Sequence, residues 1–328
     1  MAGLFRLLTQ KWYPPADPTS SFAGRTVIIT GSNTGLGFEA AVKFASLGAS
    51  TLILGVRSLA KGAAAKRAIE ARMSASTRCD IRVWHLDLLS YPSIRAFAAR
   101  AAELERLDVA VLNAGVFMPA FETSAYGWER TLQVNVLSTT LLALLLLPVL
   151  RASKTADYTP TLEIVGSGTH YRVALTADEQ RAEHLLDAFN TPEGYRPQRQ
   201  YGTSKLLVMY ALAGLAALGE PDVFVTSVCP GMCKSELGRG YDSWGMRVAK
   251  WVIFTFFARS TEQGARTLVS GTMLGAKGHG GFWQHDEVRE PAPLLKGEDG
   301  RRLQEQVWHE ITDALRKDVP EVLEVMKG

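Results

Sequence analysis

A short β-branched run, Arg25 to Thr30 (RTVIIT), leads straight into Gly31-Ser32-Asn33-Thr34-Gly35-Leu36-Gly37, and apolar residues then recur at helical spacing as far as Leu47. The run predicts a buried strand, and Gly48 predicts the C-cap of the helix that follows. Strand, glycine turn and helix in this order define a βα unit whose helix start offers free N–H groups and partial positive charge, a cradle for phosphate. Gly31 permits the tight turn, Gly35 lets backbone approach a phosphate, and Gly37 allows the helix to pack closely on the strand. The spacing is G-x-x-x-G-x-G, and by itself it is also what an ordinary βα connection looks like.

The alternation continues along the chain. Strands are predicted at Thr51–Gly55, Ile81–Leu86, Val109–Leu112, Thr161–Val165 and Val223–Val228, with helices at Leu59–Met73, Ser93–Leu104, roughly Ala125–Leu150 and Tyr201–Leu218. A polar insertion, His170 to Gln200, carries a helix of its own near Ala177–Ala188. Beyond Pro230-Gly231 the pattern loosens into an amphipathic stretch to Phe257, a helix near Thr261–Met273, a short strand around Gly281–Gln284 and a polar C-terminal helix. Strands and helices alternating at these lengths require a doubly wound parallel sheet with helices on both faces, the α/β class. No repeat or linker divides it. The organisation expected is an extension over residues 1–24 and one domain over 25–328, with a substrate lid at about 236–259 and a helical tail.

With 47% apolar and 21% charged residues and a net charge of only +3, the chain has no basic surplus or Lys/Arg run that would suit nucleic acid. Cys79, Cys229 and Cys233 are too few for a disulfide scaffold, and neither they nor the histidines have metal-ligand spacing, so a reduced, cytoplasmic setting is expected. The longest apolar run, Leu141 to Leu150, is about half the roughly 20 residues that span a bilayer, so no transmembrane segment is expected. Met1–Trp12 and Ser243–Phe257 are amphipathic, and peripheral membrane contact competes there with the reading that they cover an apolar pocket.

Tyr201 and Lys205 are four residues apart on a predicted helix, so a phenol and an ammonium share one face. Reducing a ketone needs a hydride and a proton delivered to the developing alkoxide. A free phenol, with a pKa of about 10, is a poor two-way proton donor near neutrality, and a cation one turn away lowers that value. Lys205 is therefore expected to tune Tyr201. An acid at the end of the second strand would bind a ribose 2′-hydroxyl and repel a 2′-phosphate. Arg57 stands there instead, with Lys61 one helical turn on, which favours NADP(H) over NAD(H).

Taken in order, these motifs resemble the short-chain dehydrogenase/reductase family: Thr30–Gly37 after the first strand, Asp87 after the third, Asn113-Ala114-Gly115 after the fourth, Ser167 after the fifth, then Tyr201 and Lys205, then Pro230-Gly231 after the sixth. The match runs from about Arg25 to Gly240. The insertion before Tyr201 and the text Leu54-Gly55-Val56-Arg57 resemble the retinol-dehydrogenase-like branch and its fungal secondary-metabolism relatives. The resemblance implies that Ser32, Asn33, Leu36, Ala114 and Gly115 line the cofactor, with Asp87 and Leu88 at the adenine and Asn113 on the ribose side. It further implies that Lys205 holds the nicotinamide ribose, that Ser167 hydrogen-bonds the substrate oxygen, and that Asn135 orders a water relay behind the lysine. Ser235 replaces the usual threonine near the nicotinamide amide, Leu112 a frequent asparagine and Gly166 a frequent serine. His170, three residues after Ser167, reads as structural.

The function expected is an NADP(H)-dependent oxidoreductase interconverting carbonyl and alcohol on a medium-sized, largely apolar small molecule. The competing readings are a non-redox enzyme on the same fold (dehydratase, epimerase or cyclase), a non-catalytic dinucleotide sensor, and a membrane-associated retinoid or steroid dehydrogenase. The resemblance places homodimer contacts on the helices at Ala125–Leu150 and Tyr201–Leu218, a face that the C-terminal tail could instead block.

Overall fold

The computed structural model describes residues 10–74, 76–234 and 258–327. Ser235 and nearly all of the expected lid lie outside the described residues, as do the first nine positions.

Eight strands form one sheet: β1 Thr26–Thr30, β2 Thr51–Val56, β3 Asp80–His85, β4 Val109–Leu112, β5 Thr161–Val165, β6 Phe224–Val228, β7 Phe282–Gln284 and β8 Glu287–Arg289. Their order is β3-β2-β1-β4-β5-β6-β7-β8, and every neighbouring pair is parallel except β7 with β8. Strands β1, β4 and β5 are buried throughout, because helices cover both faces, and their sequences accordingly read as nearly unbroken apolar runs. The strand order reverses between β1 and β4, and in such sheets ligands bind at that point beyond the carboxyl ends of the strands.

The helices are α1 Gly35–Ser46, α2 Leu59–Glu70, α3 Tyr91–Ala102, α4 Arg130–Arg151, α5 Ala177–Arg181, α6 Leu185–Ala188, α7 Pro197–Gly219, α8 Thr261–Gly271, α9 Gly297–Asp318 and α10 Val322–Lys327. One face of the sheet buries Phe44 of α1, Ile69 of α2 and Leu268 of α8. The other buries Phe97 of α3, Leu141 of α4, Leu207 of α7 and Ile311 of α9.

Four elements depart from the sequence expectation. Helix α4 begins at Arg130 rather than Ala125, because the Glu129 carboxylate caps it, and it winds as a π-helix from Gln133 to Ser138. Such π segments inside α-helices occur often at functional sites, and this one contains Asn135. The single helix expected in the insertion is two short ones, the first started by a Thr176/Glu179 capping box. Helix α7 starts four residues early, with Pro197 in its first turn, where the missing N–H costs nothing. Strand β8 is short and polar and was not foreseen; a tight turn with positive φ at His285 and Asp286 folds it back on β7.

Helices α4 and α7 are long and apolar enough to cross a membrane by length and composition, yet 83% and 78% of their apolar windows are buried inside the protein. They are core helices. The C-terminal tail contributes to that burial: Trp308 of α9 packs on Gly214 of α7, and the Tyr210 hydroxyl donates to Leu294 O at 2.8 Å. The helix faces on which homodimer contacts were expected are therefore largely covered by the chain's own tail.

Candidate active site

The glycine turn closes on the end of β4. Gly31 and Gly35 take φ of 66° and 64°, the left-handed region that side chains disfavour. A Cβ on Gly37 would stand 2.5 Å from Asn113 Nδ2, so only glycine fits there. Asn113 Nδ2 donates to Thr30 O at 2.9 Å and Gly31 O at 3.3 Å, and Ala114 N–H donates to Thr30 Oγ1 at 2.9 Å. Asn113 thus clasps the glycine turn to the Asn-Ala-Gly turn, a use that its motif did not announce. Ser32 is buried and donates to Ile29 O at 3.0 Å. Helix α1 starts with no side-chain cap and no acid in its first turn, so its dipole faces the turn uncompensated.

Asn33, Thr34, Phe38 and Lys61 line a hollow of about 340 Å³ between this turn and α2. Arg57 and Lys61 are exposed, and no described carboxylate lies within 4 Å of either. Asp87 is half-buried and accepts from Leu89 N–H at 3.0 Å; Leu88 beside it is buried. Leu36 is half-buried in the first turn of α1.

Ser167 follows β5, while Tyr201 and Lys205 lie in the first turns of α7. Lys205 is buried and its Nζ donates to Val165 O at 2.8 Å. It stands 5.8 Å from the Tyr201 ring centroid. The Tyr201 phenol lies close enough to Ser167 for that side chain to act on its acidity. Asn135 is almost fully buried: it accepts from Val116 N–H at 2.8 Å and donates to Val116 O at 2.9 Å and Ser204 Oγ at 3.0 Å. A Cβ on Gly115 would meet Asn135 Oδ1 at 3.1 Å and Lys205 Nζ at 3.8 Å, which puts all three in one corner. Residues more than 60 positions apart in the chain converge here.

Burial pushes the Tyr201 phenol well above its ordinary value near 10, the neighbouring Cys229 thiol adds to this, and the Ser167 side chain opposes it. Burial also draws Lys205 down to about 8. Desolvation dominates at both groups, and the ammonium is held by Val165 O.

Pro230 is buried and Gly231 turns with φ of 79°. The residues that fasten this turn escaped the sequence reading. Gln10 Oε1 accepts from Met232 N–H at 3.1 Å, and the fully buried Arg259 donates to Gln10 O at 2.8 Å and Tyr13 O at 2.7 Å. The extension therefore straps the loop after β6, and no periodicity or motif marks a lone glutamine for that work. Cys229 was passed over as well: its sulfur accepts from Gly168 N–H, Gly231 N–H and Gln284 Nε2 at 3.2, 3.4 and 3.1 Å, joining the ends of β5, β6 and β7. His170 is structural, as expected: its Nδ1 lies 2.6 Å from Ser167 O and its ring packs between Tyr171 and Phe282. Among the described residues no group of three His, Cys, Asp or Glu side chains could hold a metal ion.

A parallel sheet with a glycine-turn cradle beside a serine, a phenol and a buried lysine defines a dinucleotide-type α/β protein equipped for proton transfer. The family model described as short chain dehydrogenase matches residues 25–157. A short-chain dehydrogenase/reductase of Aspergillus flavipes, ffsI, is 46% identical over 94% of this chain and 91% of its own length. One of Phaeosphaeria nodorum, phmF, is 44% identical over 96% of this chain and 93% of its own. Among solved structures, a Pseudomonas aeruginosa RhlG/NADP active-site complex is similar with a TM-score of 0.62 at 24% identity, covering 82% of this chain and 97% of that one. The chain belongs to the short-chain dehydrogenase/reductase family, and is accordingly an oxidoreductase acting between CH–OH and C=O.

Proposed function

We propose that this protein is an NADPH-dependent carbonyl reductase acting on a medium-sized, largely apolar ketone of fungal secondary metabolism. The observation that carries this reading is the convergence of Ser167, Tyr201 and Lys205 beside the glycine cradle. The uncapped start of α1 with Gly31, Ser32, Asn33, Gly35, Leu36 and Gly37 suits the diphosphate; Asp87, Leu88, Ala114, Gly115, Pro230 and Gly231 would flank the rest of the cofactor. NADPH, when bound, supplies the hydride. Tyr201 Oη gives its proton to the substrate oxygen, and Ser167 Oγ hydrogen-bonds that oxygen and stabilises its developing charge. Lys205 and Asn135, which share the corner at Gly115, would carry the proton that restores the phenol. The complex of RhlG with NADP supports the cofactor assignment by likeness of fold.

Steady-state assays with a panel of carbonyls should show consumption of NADPH and a lower KM for NADPH than for NADH; preference for NADH would sink the assignment. Replacing Arg57 by alanine removes one charge-assisted partner of a 2′-phosphate, so the NADPH-over-NADH ratio of kcat/KM should fall about 10- to 100-fold. An unchanged ratio would return Arg57 to the status of a solvated surface residue. Because α9 and α10 cover α4 and α7, the protein should elute as a monomer of 35.8 kDa in size-exclusion chromatography with light scattering, and a stable dimer would overturn that expectation.

A further inference from the structure

Helix α4 with Asn135 and helix α7 with Tyr201 and Lys205 are tied to each other at two levels. The inner tie is Asn135 Nδ2 donating to Ser204 Oγ at 3.0 Å. The outer tie is made by Glu129, which no motif singles out. Glu129 is fully buried and precedes Arg130 at the start of α4. Its Oε1 accepts from Thr131 N–H and Thr131 Oγ1 at 2.9 and 2.8 Å, and its Oε2 from Leu132 N–H at 3.0 Å. Those three bonds cap the helix. Two more come from elsewhere: Gln200 Nε2 donates to Oε2 at 2.9 Å, and the Tyr195 hydroxyl to Oε1 at 3.3 Å.

Among the described residues no cationic side chain pairs with Glu129; Arg130 goes to Glu122 at 2.5 Å. A buried carboxylate without a cation persists only where donors converge on it, and here four donors, a Tyr195 hydroxyl shared with Met118 O, and the partial positive charge of a helix start do so. Capping alone calls for fewer. The additional donors come from Gln200, the residue immediately before Tyr201, and from Tyr195, whose hydroxyl also lies 3.1 Å from Met118 O in the segment after β4. Gln200 Nε2 donates to Phe189 O as well, and Glu129 N–H donates to Asn190 Oδ1 at 2.7 Å, so the insertion is fastened into the same knot.

We propose that Glu129 is a positioning residue for Tyr201: its carboxylate holds the first turn of α7 against the start of α4 and so keeps the phenol within reach of Ser167 and above Lys205. Tyr201 stands between the two ties, one residue after Gln200 and three before Ser204. Without the outer tie, the first turn of α7 can pivot about the inner one, and the phenol is displaced while the glycine cradle, built from β1 and α1, is not.

This inference rests on the carbonyl-reductase reading, and the test separates the two. Wild type, Glu129→Gln, Gln200→Leu and Tyr201→Phe are assayed with NADPH and an apolar diketone probe, 9,10-phenanthrenequinone, alongside NADPH binding by fluorescence and thermal unfolding. Glu129→Gln and Gln200→Leu should each lower kcat about 10- to 100-fold, the scale of a displacement near 1 Å, with NADPH binding within about twofold of wild type. Each should also lose far less in the Tyr201→Phe background than alone, since residues acting through one group are not additive. Folded variants with unchanged kcat, or losses that simply add to that of Tyr201→Phe, would overturn the proposal. Should Glu129→Gln not fold, Gln200→Leu, which leaves the Glu129 cap of α4 in place, decides alone. If Tyr201→Phe itself turns over the probe like wild type, the reductase reading falls instead.

Discussion

Tyr201→Phe should abolish carbonyl reduction while leaving NADPH binding intact. The phenol is held above its ordinary pKa by burial, so at neutral pH it carries the proton that the reaction needs, and phenylalanine keeps the ring in its place beside Phe117 without that proton. Removing a positioned general acid costs about 10²- to 10⁴-fold in rate. Single-turnover kinetics with NADPH and a reactive ketone measure the loss, and nucleotide fluorescence checks that binding survives. Retained turnover would show that Tyr201 is not the acid. The pH dependence follows from the neighbouring amine. Lys205, drawn down to about 8 by burial, keeps its charge below that pH and loses it above, so reduction should hold steady through neutrality and fall as pH passes about 8.

Glu163→Gln should make the protein more stable, by an amount that grows with pH. Glu163 lies in the middle of β5, fully buried, opposite Thr226 of β6 and pressed against Gly271 of α8, and neither carboxyl oxygen has a hydrogen-bond partner among the described residues. Thr226 Oγ1 and Thr267 Oγ1 on the same side are likewise unpaired. Burial therefore raises its pKa well above the ordinary 4.5. The folded protein binds this proton more tightly than the unfolded chain does. Its contribution is thus fully present below about 4.5 and is lost as pH climbs towards the raised folded value, at about 1.4 kcal/mol per pH unit. Glutamine keeps the shape and removes that dependence. Thermal unfolding at pH 5 and pH 8 should show the variant's advantage widening by about 2–4 °C for each kcal/mol gained. An equal Tm difference at both pH values would show that Glu163 does not titrate in this way.

Much of the architecture could be read from residue order because strands buried on both faces are mostly apolar, as the runs at Val27–Ile29 and Val109–Leu112 are, and as Leu162–Val165 is apart from Glu163. The motif residues were legible for a related reason. Each sits where a strand ends or a helix begins, so Gly31, Asn113, Ser167 and Pro230 mark their own positions along the sheet's carboxyl edge. Strand β8 was missed because three residues, Glu287 to Arg289, are too few to carry a period; the turn at His285–Asp286 creates the pairing. The long helix was begun too early because its apolar pattern does not reveal that a glutamate side chain stops the backbone at Arg130.

Local order along the chain thus determined the sheet, the glycine turn and the order of the motif residues along it, since each depends on neighbours within a few residues. Only the folded molecule decided how those groups are held and charged. Gln10 reaches Met232 across 222 positions, Glu129 reaches Gln200 across 71, and the depth at which Tyr201, Lys205 and Glu163 lie sets their protonation. Burial and long-range hydrogen bonds are properties of what surrounds a residue in space, and sequence separation carries no measure of that.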